Sequence, residues 1–118
     1  FHWFMAQNGT INGYKSNFWS GVTTLELAKF IVWQINNSST GLINLTNGIA
    51  ISKHDLLKLI NDEFHRNIDI ISEKDYVCDK SLKSHREIDY KVSSYEVMIK
   101  EAKKFMIEHK QYYAHYQF

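Results

Sequence analysis

The chain has 118 residues, the length of one domain and enough to bury a hydrophobic core. Hydrophobic residues make up 44% and charged residues 23% of it, which is the balance of an ordinary globular protein. The net charge of +1 gives no general attraction to nucleic acid or to anionic membranes, so we expect neither as a partner.

The predicted elements begin inside an apolar run that starts at Phe1 rather than at methionine, which favours a piece cut from a longer chain. Residues 1–8 are predicted to be the end of a helix, with Gly9 as its C-cap. The pair Asn12-Gly13 is typical of a two-residue hairpin turn, with the second strand over residues 14–19.

The next stretch, residues 17–33, predicts a loop that turns at Gly21 and opens a helix. Thr23 and Glu26 fit the capping box, in which the threonine oxygen accepts from an early N–H and the glutamate reaches back to the cap's own N–H. A helix start also offers free N–H groups, so this one suits a phosphate or a sugar hydroxyl. The simpler alternative is a capped helix beside a buried Trp19.

That helix is predicted over about residues 24–36, because apolar residues recur there at helical spacing. We expect it to be buried on more than one side, with a core-facing stripe of Leu27, Phe30, Ile31 and Ile35 that Val32 and Trp33 widen.

The second half of the chain predicts a strand over residues 42–46, then a helix capped by Ser52 with Asp55 and carrying the stripe Leu56, Ile60 and Phe64. A strand at residues 68–71 and a polar loop over residues 72–92 follow, the loop with a helical turn near residues 79–84. A last helix is predicted over residues 95–110, and the tail 112–118 frays or packs as an arm. This order predicts a small, mostly helical α+β domain without a parallel sheet of its own.

Motifs for chemistry are few. Cys78 is the one cysteine, so no internal disulfide can form, and a reduced thiol in a cytoplasmic protein is the plain interpretation. No two histidines lie three or four residues apart, and no glycine-rich phosphate loop is present, so we expect no metal and no cofactor site. Tyr76 and Lys80 match the Y-x-x-x-K spacing of short-chain dehydrogenases, but in a polar loop such a short pattern is common by chance.

Four stretches together carry a family resemblance. Residues 19–29, W-S-G-V-T-T-L-E-L-A-K, resemble the helix-opening element in extended short-chain dehydrogenase/reductases that act on nucleotide sugars, most of all the dTDP-4-dehydrorhamnose reductase group. Residues 51–60 with the short strand 41–45 before them, residues 79–84 and residues 93–101 are similar to later segments of that family, in the same order.

The resemblance implies that residues 1–118 form a single substrate-binding domain, the C-terminal lobe of such an enzyme. A missing N-terminal Rossmann domain would bind NAD(P)H and carry the catalytic residues, so none is expected in this chain. The family reaction would be reduction of a 4-keto sugar nucleotide. The implied partners are the nucleotide-sugar substrate and the Rossmann domain, with a homodimer as a further option.

The same resemblance places substrate contacts at Trp19, Gly21, Thr23, Thr24 and Lys80. Trp19 would form a wall for the sugar or base, the threonines would bond hydroxyls or phosphate, and Lys80 would bind the diphosphate. The family's Asp-Gln and its prolines are replaced here, so the sugar, the nucleotide and reduction versus epimerisation stay open.

Two other classes of function compete. One is a stand-alone α+β protein-interaction module without enzymatic activity, which would self-associate through an apolar patch at Phe1, Phe4 and Met5. The other is a small RNA- or DNA-binding domain, favoured by aromatic and basic residues but without a basic stripe or an RNP-like motif.

Overall fold

Three helices of 11 to 14 residues and several short strands make up residues 1–116, the part of the chain that this computed structural model describes. In chain order the elements are α1 (His2–Met5), β1 (Thr10–Tyr14), β2 (Asn17–Trp19), α2 (Thr24–Asn37), β3 (Ile51–Ser52), α3 (Lys53–Glu63), β4 (Asp69–Glu73), β5 (Cys78–Lys80), α4 (Tyr95–Glu108) and a 3-10 turn (Lys110–Tyr112).

The strands form two small sheets. In one, β1 runs parallel to β4, with Thr10 opposite Asp69. In the other, β2 lies between β3, which is antiparallel to it, and β5, which is parallel to it. The expectation that the chain would have no parallel sheet of its own is therefore wrong, since two of the three strand pairings in residues 1–116 are parallel.

The predicted hairpin at Asn12-Gly13 is also wrong, because both residues lie inside β1. Gly13 serves close packing instead of a turn. A Cβ atom there would lie 2.7 Å from Cγ2 of Ile70 on β4 and 3.0 Å from Cα of His54 on α3. The glycine lets the strand approach both neighbours, a role that the sequence cannot distinguish from a turn.

Two further local predictions are wrong. In the first case no neighbouring strand is present, and in the second case one is. Residues 42–46 have no regular structure, since they pair with no strand among residues 1–116. The predicted helical turn near residues 79–84 is replaced by β5, because Cys78–Lys80 can extend along β2 and share its backbone hydrogen bonds.

The helix caps and the core follow the predictions more closely. Side chains at the three N-caps, Thr23, Ser52 and Ser94, each accept a hydrogen bond from the N–H three residues later. The main core lies between α1, α3 and α4, and its buried members are Phe4, Met5, Ile60, Phe64, Ile68 and Ile99. The prediction of an apolar surface patch at Phe1, Phe4 and Met5 is therefore wrong, because Phe4 and Met5 belong to this core.

The chain ends come together beside this core. The ring of Tyr116 lies 5.3 Å from that of Phe1, and its hydroxyl lies 3.1 Å from Nδ1 of His2. The predicted tail thus packs as an arm as far as Tyr116, while residues 117–118 lie outside the described part.

Helix α2 has the predicted extent but not the predicted orientation. Phe30 is buried, whereas Leu27, Ile31 and Ile35 are 42%, 50% and 74% exposed. The inner side of the helix carries Phe30, whose ring lies 5.3 Å from that of Tyr90, together with a polar contact, while the rest of the apolar stripe is turned outward.

That polar contact is the carboxylate of Glu26, which is 2% exposed. It accepts hydrogen bonds from Nζ of Lys29, the hydroxyl of Tyr90 and the N–H of Ser93, each at 3.2 Å. Lys29 also bonds Glu101 on α4 at 2.5 Å. The predicted capping box is therefore confirmed only for the hydrogen bond that Thr23 accepts. The side chain of Glu26 does not reach back to the N-cap and instead accepts hydrogen bonds from residues 90–93.

Lys29 and Tyr90, two residues that donate hydrogen bonds to Glu26, have shifted pKa values. The hydrogen bond that Lys29 donates to Glu101, and after it the one that it donates to Glu26, raise the pKa of Lys29. Burial, with the nearby Glu26 charge, raises the pKa of Tyr90. Both shifts favour the protonation states that donate to the carboxylate over the neutral pH range.

We predict that Glu26→Gln lowers the free energy of unfolding by about 1–3 kcal/mol, because the amide turns one acceptor into a donor facing buried donors. Glu101→Gln is the control, since its partner is the same lysine but its side chain is 42% exposed, and it should cost less than about 1 kcal/mol. Urea unfolding at pH 7 measures both. An equal loss of unfolding free energy in the two variants would show that burial of the Glu26 carboxylate does not increase its contribution to stability.

Candidate functional site

A cavity of about 490 Å³ opens beside the first turn of α2. The loop after β2, the inner faces of α3 and α4, and the two chain ends supply its walls. The lining residues are Phe1, His2, Trp19, Gly21, Val22, Thr23, Thr24, Leu56, Ile60, Phe64, Tyr95, Met98, Ile99, Ala102, Met106, Tyr113 and Tyr116.

The structure brings four of the five sequence-predicted site residues together on this wall: Trp19, Gly21, Thr23 and Thr24. Lys80 is not among the lining residues. It is exposed on β5, where its backbone pairs in register with that of Trp19. The lysine therefore lies one strand away from the wall and not within it.

The indole of Trp19 rests on Gly21. A Cβ atom at Gly21 would lie 1.8 Å from Cζ2 and 2.4 Å from Cε2 of the indole, so no other residue fits without moving the ring. On the cavity side the ring approaches Tyr95, with centroids 6.2 Å apart. The two aromatic rings form a wall at the start of α2.

The turn that carries Gly21 is fixed by Ser20, which sequence reasoning missed. Ser20 is 2% exposed; its hydroxyl donates to the carbonyl of Leu82 at 3.0 Å and accepts from the N–H of the same residue at 2.6 Å. Because the partner lies 62 residues away, no local pattern in the sequence indicates this clamp.

The polar groups of the wall are few. Oγ1 of Thr23 accepts from the N–H of Glu26 at 3.2 Å, which leaves its hydroxyl hydrogen to donate, and Thr24 is exposed as the first residue of α2. Tyr95, also missed as a site residue, is buried and donates its hydroxyl to the carbonyl of Ile49 at 2.7 Å. Burial raises the pKa of Tyr95, so this phenol stays neutral and oriented.

The lining contains no lysine, arginine, aspartate or glutamate, and His2 is its one basic side chain among the residues described. Such a wall suits an aromatic ring or a sugar face, with hydroxyls for orientation, better than it suits a phosphate. A diphosphate would need a cation from outside the wall, and Lys80 on the neighbouring strand is the sequence-predicted candidate.

The remaining motif does not form the geometry it would need. The residues between Tyr76 and Lys80 enter β5 rather than a helix, and Tyr76 is 53% exposed, so the two side chains are not stacked one helical turn apart. Across residues 1–116, no cluster of three or more His, Cys, Asp or Glu side chains could hold a metal ion. The helices of this part are all too short or too polar to cross a membrane.

Comparison with known proteins identifies the fold. No family model matches the chain, and no curated protein does. Among solved structures, the chain has the fold of part of a reductase. It matches dTDP-4-dehydrorhamnose reductase from Yersinia enterocolitica with a TM-score of 0.60 and 20% identity, over 85% of this chain and 39% of that one.

A second match is dTDP-4-dehydrorhamnose reductase from Bacillus anthracis in complex with NADP, with a TM-score of 0.71 and 14% identity, over 91% of this chain and 40% of that one. The chain thus spans about two fifths of the length of these reductases, consistent with their C-terminal part. At these identities the matches establish the fold.

The residues of this chain do not fit a dinucleotide such as the NADP of the Bacillus structure. The chain has 5 glycines and no glycine-rich turn between a strand and a helix, and the cavity wall offers no lysine or arginine for a phosphate. No step of a reaction can therefore be assigned to a cofactor bound by these residues.

We predict that Gly21→Ala displaces the Trp19 indole and lowers the free energy of unfolding by about 1–3 kcal/mol, because the new methyl group overlaps the ring. In a Trp19→Ala background the same change should cost less than about 0.5 kcal/mol, since the overlap is gone. Urea unfolding of the four proteins gives the coupling energy. If Gly21→Ala lowered the free energy of unfolding equally with and without the Trp19 side chain, the contact between the indole and Gly21 would be contradicted.

Proposed function

We propose that the chain is the substrate-binding part of an NAD(P)H-dependent nucleotide-sugar reductase, similar to dTDP-4-dehydrorhamnose reductase. The observation that carries the proposal is the cavity beside α2, whose wall combines the Trp19 ring on Gly21 with the hydroxyls of the first helical turn. The fold match to two reductases of this activity supports it.

Each wall residue has a role in this proposal. The rings of Trp19 and Tyr95 contact the base or the sugar by stacking. The hydroxyls of Thr23 and Thr24 hydrogen-bond sugar hydroxyls, and the first turn of α2 adds backbone N–H groups. Lys80, which extends from the neighbouring strand, neutralises the diphosphate where it leaves the apolar wall.

The chain's contribution to catalysis would be binding and positioning. The largely aromatic wall holds the sugar, and its lining includes no carboxylate. The groups that transfer a hydride and a proton to a 4-keto sugar would belong to the Rossmann domain. Holding the keto sugar in a fixed geometry against that domain lowers the entropic cost of the reaction.

A second function is favoured by one specific observation, the outward apolar face of α2. A non-enzymatic interaction module would use such a face to bind a protein partner. In that case the cavity would not discriminate nucleotide sugars from other small molecules, which separates the two functions experimentally.

We predict that dTDP-glucose binds the chain and that Trp19→Ala weakens binding about tenfold, because one aromatic stacking contact contributes on the order of 1–3 kcal/mol. Lys80→Ala should weaken binding less, and mainly at low salt. Isothermal titration calorimetry measures both, with the exposed Lys74→Ala as the matched lysine control.

In an intact reductase that contains this chain, the first two substitutions should raise the KM for the nucleotide sugar while NADPH affinity is unchanged. Unchanged sugar affinity in both variants, or an equal loss in Lys74→Ala, would overturn the assignment of the pocket.

A further inference from the structure

The cavity beside α2 extends far beyond the aromatic wall at the start of that helix. Tyr95, the first residue of α4, donates its hydroxyl to the carbonyl of Ile49, just before α3. Lys103, farther along α4, forms an ion pair with Glu63 at the end of α3, with Nζ and Oε1 3.5 Å apart. The two helices therefore run side by side in the same direction. Because Tyr95 and Met106 both line the cavity, it follows α4 for about 16 Å at the helical rise per residue.

Apolar side chains from both helices line most of this length. We call this stretch the inner part of the cavity, and its residues are Ile60 and Phe64 of α3 with Met98, Ala102 and Met106 of α4. None of these side chains contains a nitrogen or oxygen atom, and Phe64 and Met98 are only 4% and 1% exposed. A cavity lined in this way stays dry and binds hydrocarbon, since a polar group inside it would lose its hydrogen bonds to water without replacement.

The far end of the inner part is aromatic. The ring of Phe1 lies 5.0 Å from that of Phe64 and 5.3 Å from that of Tyr116, and all three residues line the cavity. An apolar group that reached this end would therefore contact aromatic rings rather than water.

The volume of the cavity exceeds what a sugar ring requires. A single six-membered ring fits a cavity of about 150 Å³, whereas this cavity has a volume of about 490 Å³. A sugar held at the start of α2 thus leaves most of the space empty. A nucleobase is a poor occupant of the inner part, because its carbonyl and N–H groups would find no hydrogen-bonding partner on those side chains.

We infer that the inner part of the cavity binds a hydrocarbon substituent of the sugar, so that the substrate is a keto sugar nucleotide with an aliphatic group on its ring. The hydroxyls of Thr23 and Thr24 contact the sugar, and the aliphatic group lies between α3 and α4. The inference rests on the proposed function for the sugar and its position, and on the apolar inner part for the aliphatic group.

The test compares octyl β-glucoside with methyl β-glucoside, two neutral sugars that differ only in the length of the alkyl group. Isothermal titration calorimetry measures the affinity of the chain for each, below the concentration at which octyl glucoside forms micelles. Burial of about two methylene groups gives a tenfold gain in affinity, so octyl glucoside should bind at least about 100-fold more tightly, with one molecule per chain. Equal affinities for the two glucosides would overturn the inference.

Substitutions locate the alkyl group in the cavity. Ala102→Trp fills the inner part and should abolish the advantage of octyl over methyl glucoside. Ala102→Leu is a smaller change that perturbs folding less, and it should reduce that advantage about tenfold, because the added isopropyl group displaces about two methylene groups of the ligand. Ala28→Trp is the matched control, since Ala28 also lies in a helix but is exposed and does not line the cavity. An advantage that is unchanged in both Ala102 variants would overturn the assignment of the inner part.

Two further titrations separate this inference from the proposed function. dTDP-glucose has no alkyl substituent, so its binding tests the sugar site at α2 alone. If dTDP-glucose binds and octyl glucoside shows no advantage, the inference is overturned and the proposed function stands. If the octyl advantage is present without dTDP-glucose binding, the hydrocarbon site is supported and the proposed function is contradicted. Thymidine that binds more tightly than octyl glucoside, and loses that affinity in Ala102→Trp, would overturn the inference in favour of a pocket for the base.

Discussion

The buried carboxylate of Glu26 is the constraint on which the rest of the structure depends. It is 2% exposed and accepts hydrogen bonds from α2, from Tyr90 and from the backbone of Ser93. Because an unpaired buried charge is very costly, all three donors must stay in place. The carboxylate therefore fixes how the first turn of α2 faces the segment that leads into α4, while Leu27, Ile31 and Ile35 of the same helix stay exposed.

The cavity follows from the same arrangement. With the start of α2 held, the turn before it is fixed by Ser20 through its two hydrogen bonds to Leu82, and Gly21 receives the indole of Trp19. Tyr95, the first residue of α4, completes the wall from the other side. A few buried polar contacts between distant parts of the chain thus place an aromatic wall and two hydroxyls at one helix start, and this geometry suits an aromatic ring or a sugar face.

Local rules predict local features well here and spatial ones poorly. The three N-caps, the extents of the long helices and the grouping of Trp19 with Gly21 and Thr23 follow from neighbouring residues, so the sequence indicates them. Other features depend on which distant element packs nearby. They are the role of Gly13, the direction in which Ile31 faces, and the absence of regular structure in residues 42–46. A glycine in a strand resembles one in a turn, and an apolar stripe resembles a core face, until the neighbours are known.

In the function proposed here, the cavity beside α2 binds a nucleotide sugar. An NMR titration of the isotope-labelled chain with dTDP-glucose tests it most directly, because it reports the position of binding as well as its strength. If the nucleotide sugar binds there, the indole signal of Trp19 and the methyl signals of Thr23 and Thr24 shift together with one saturable affinity. Shifts confined to the outer face of α2, or no shifts at millimolar ligand, would contradict it.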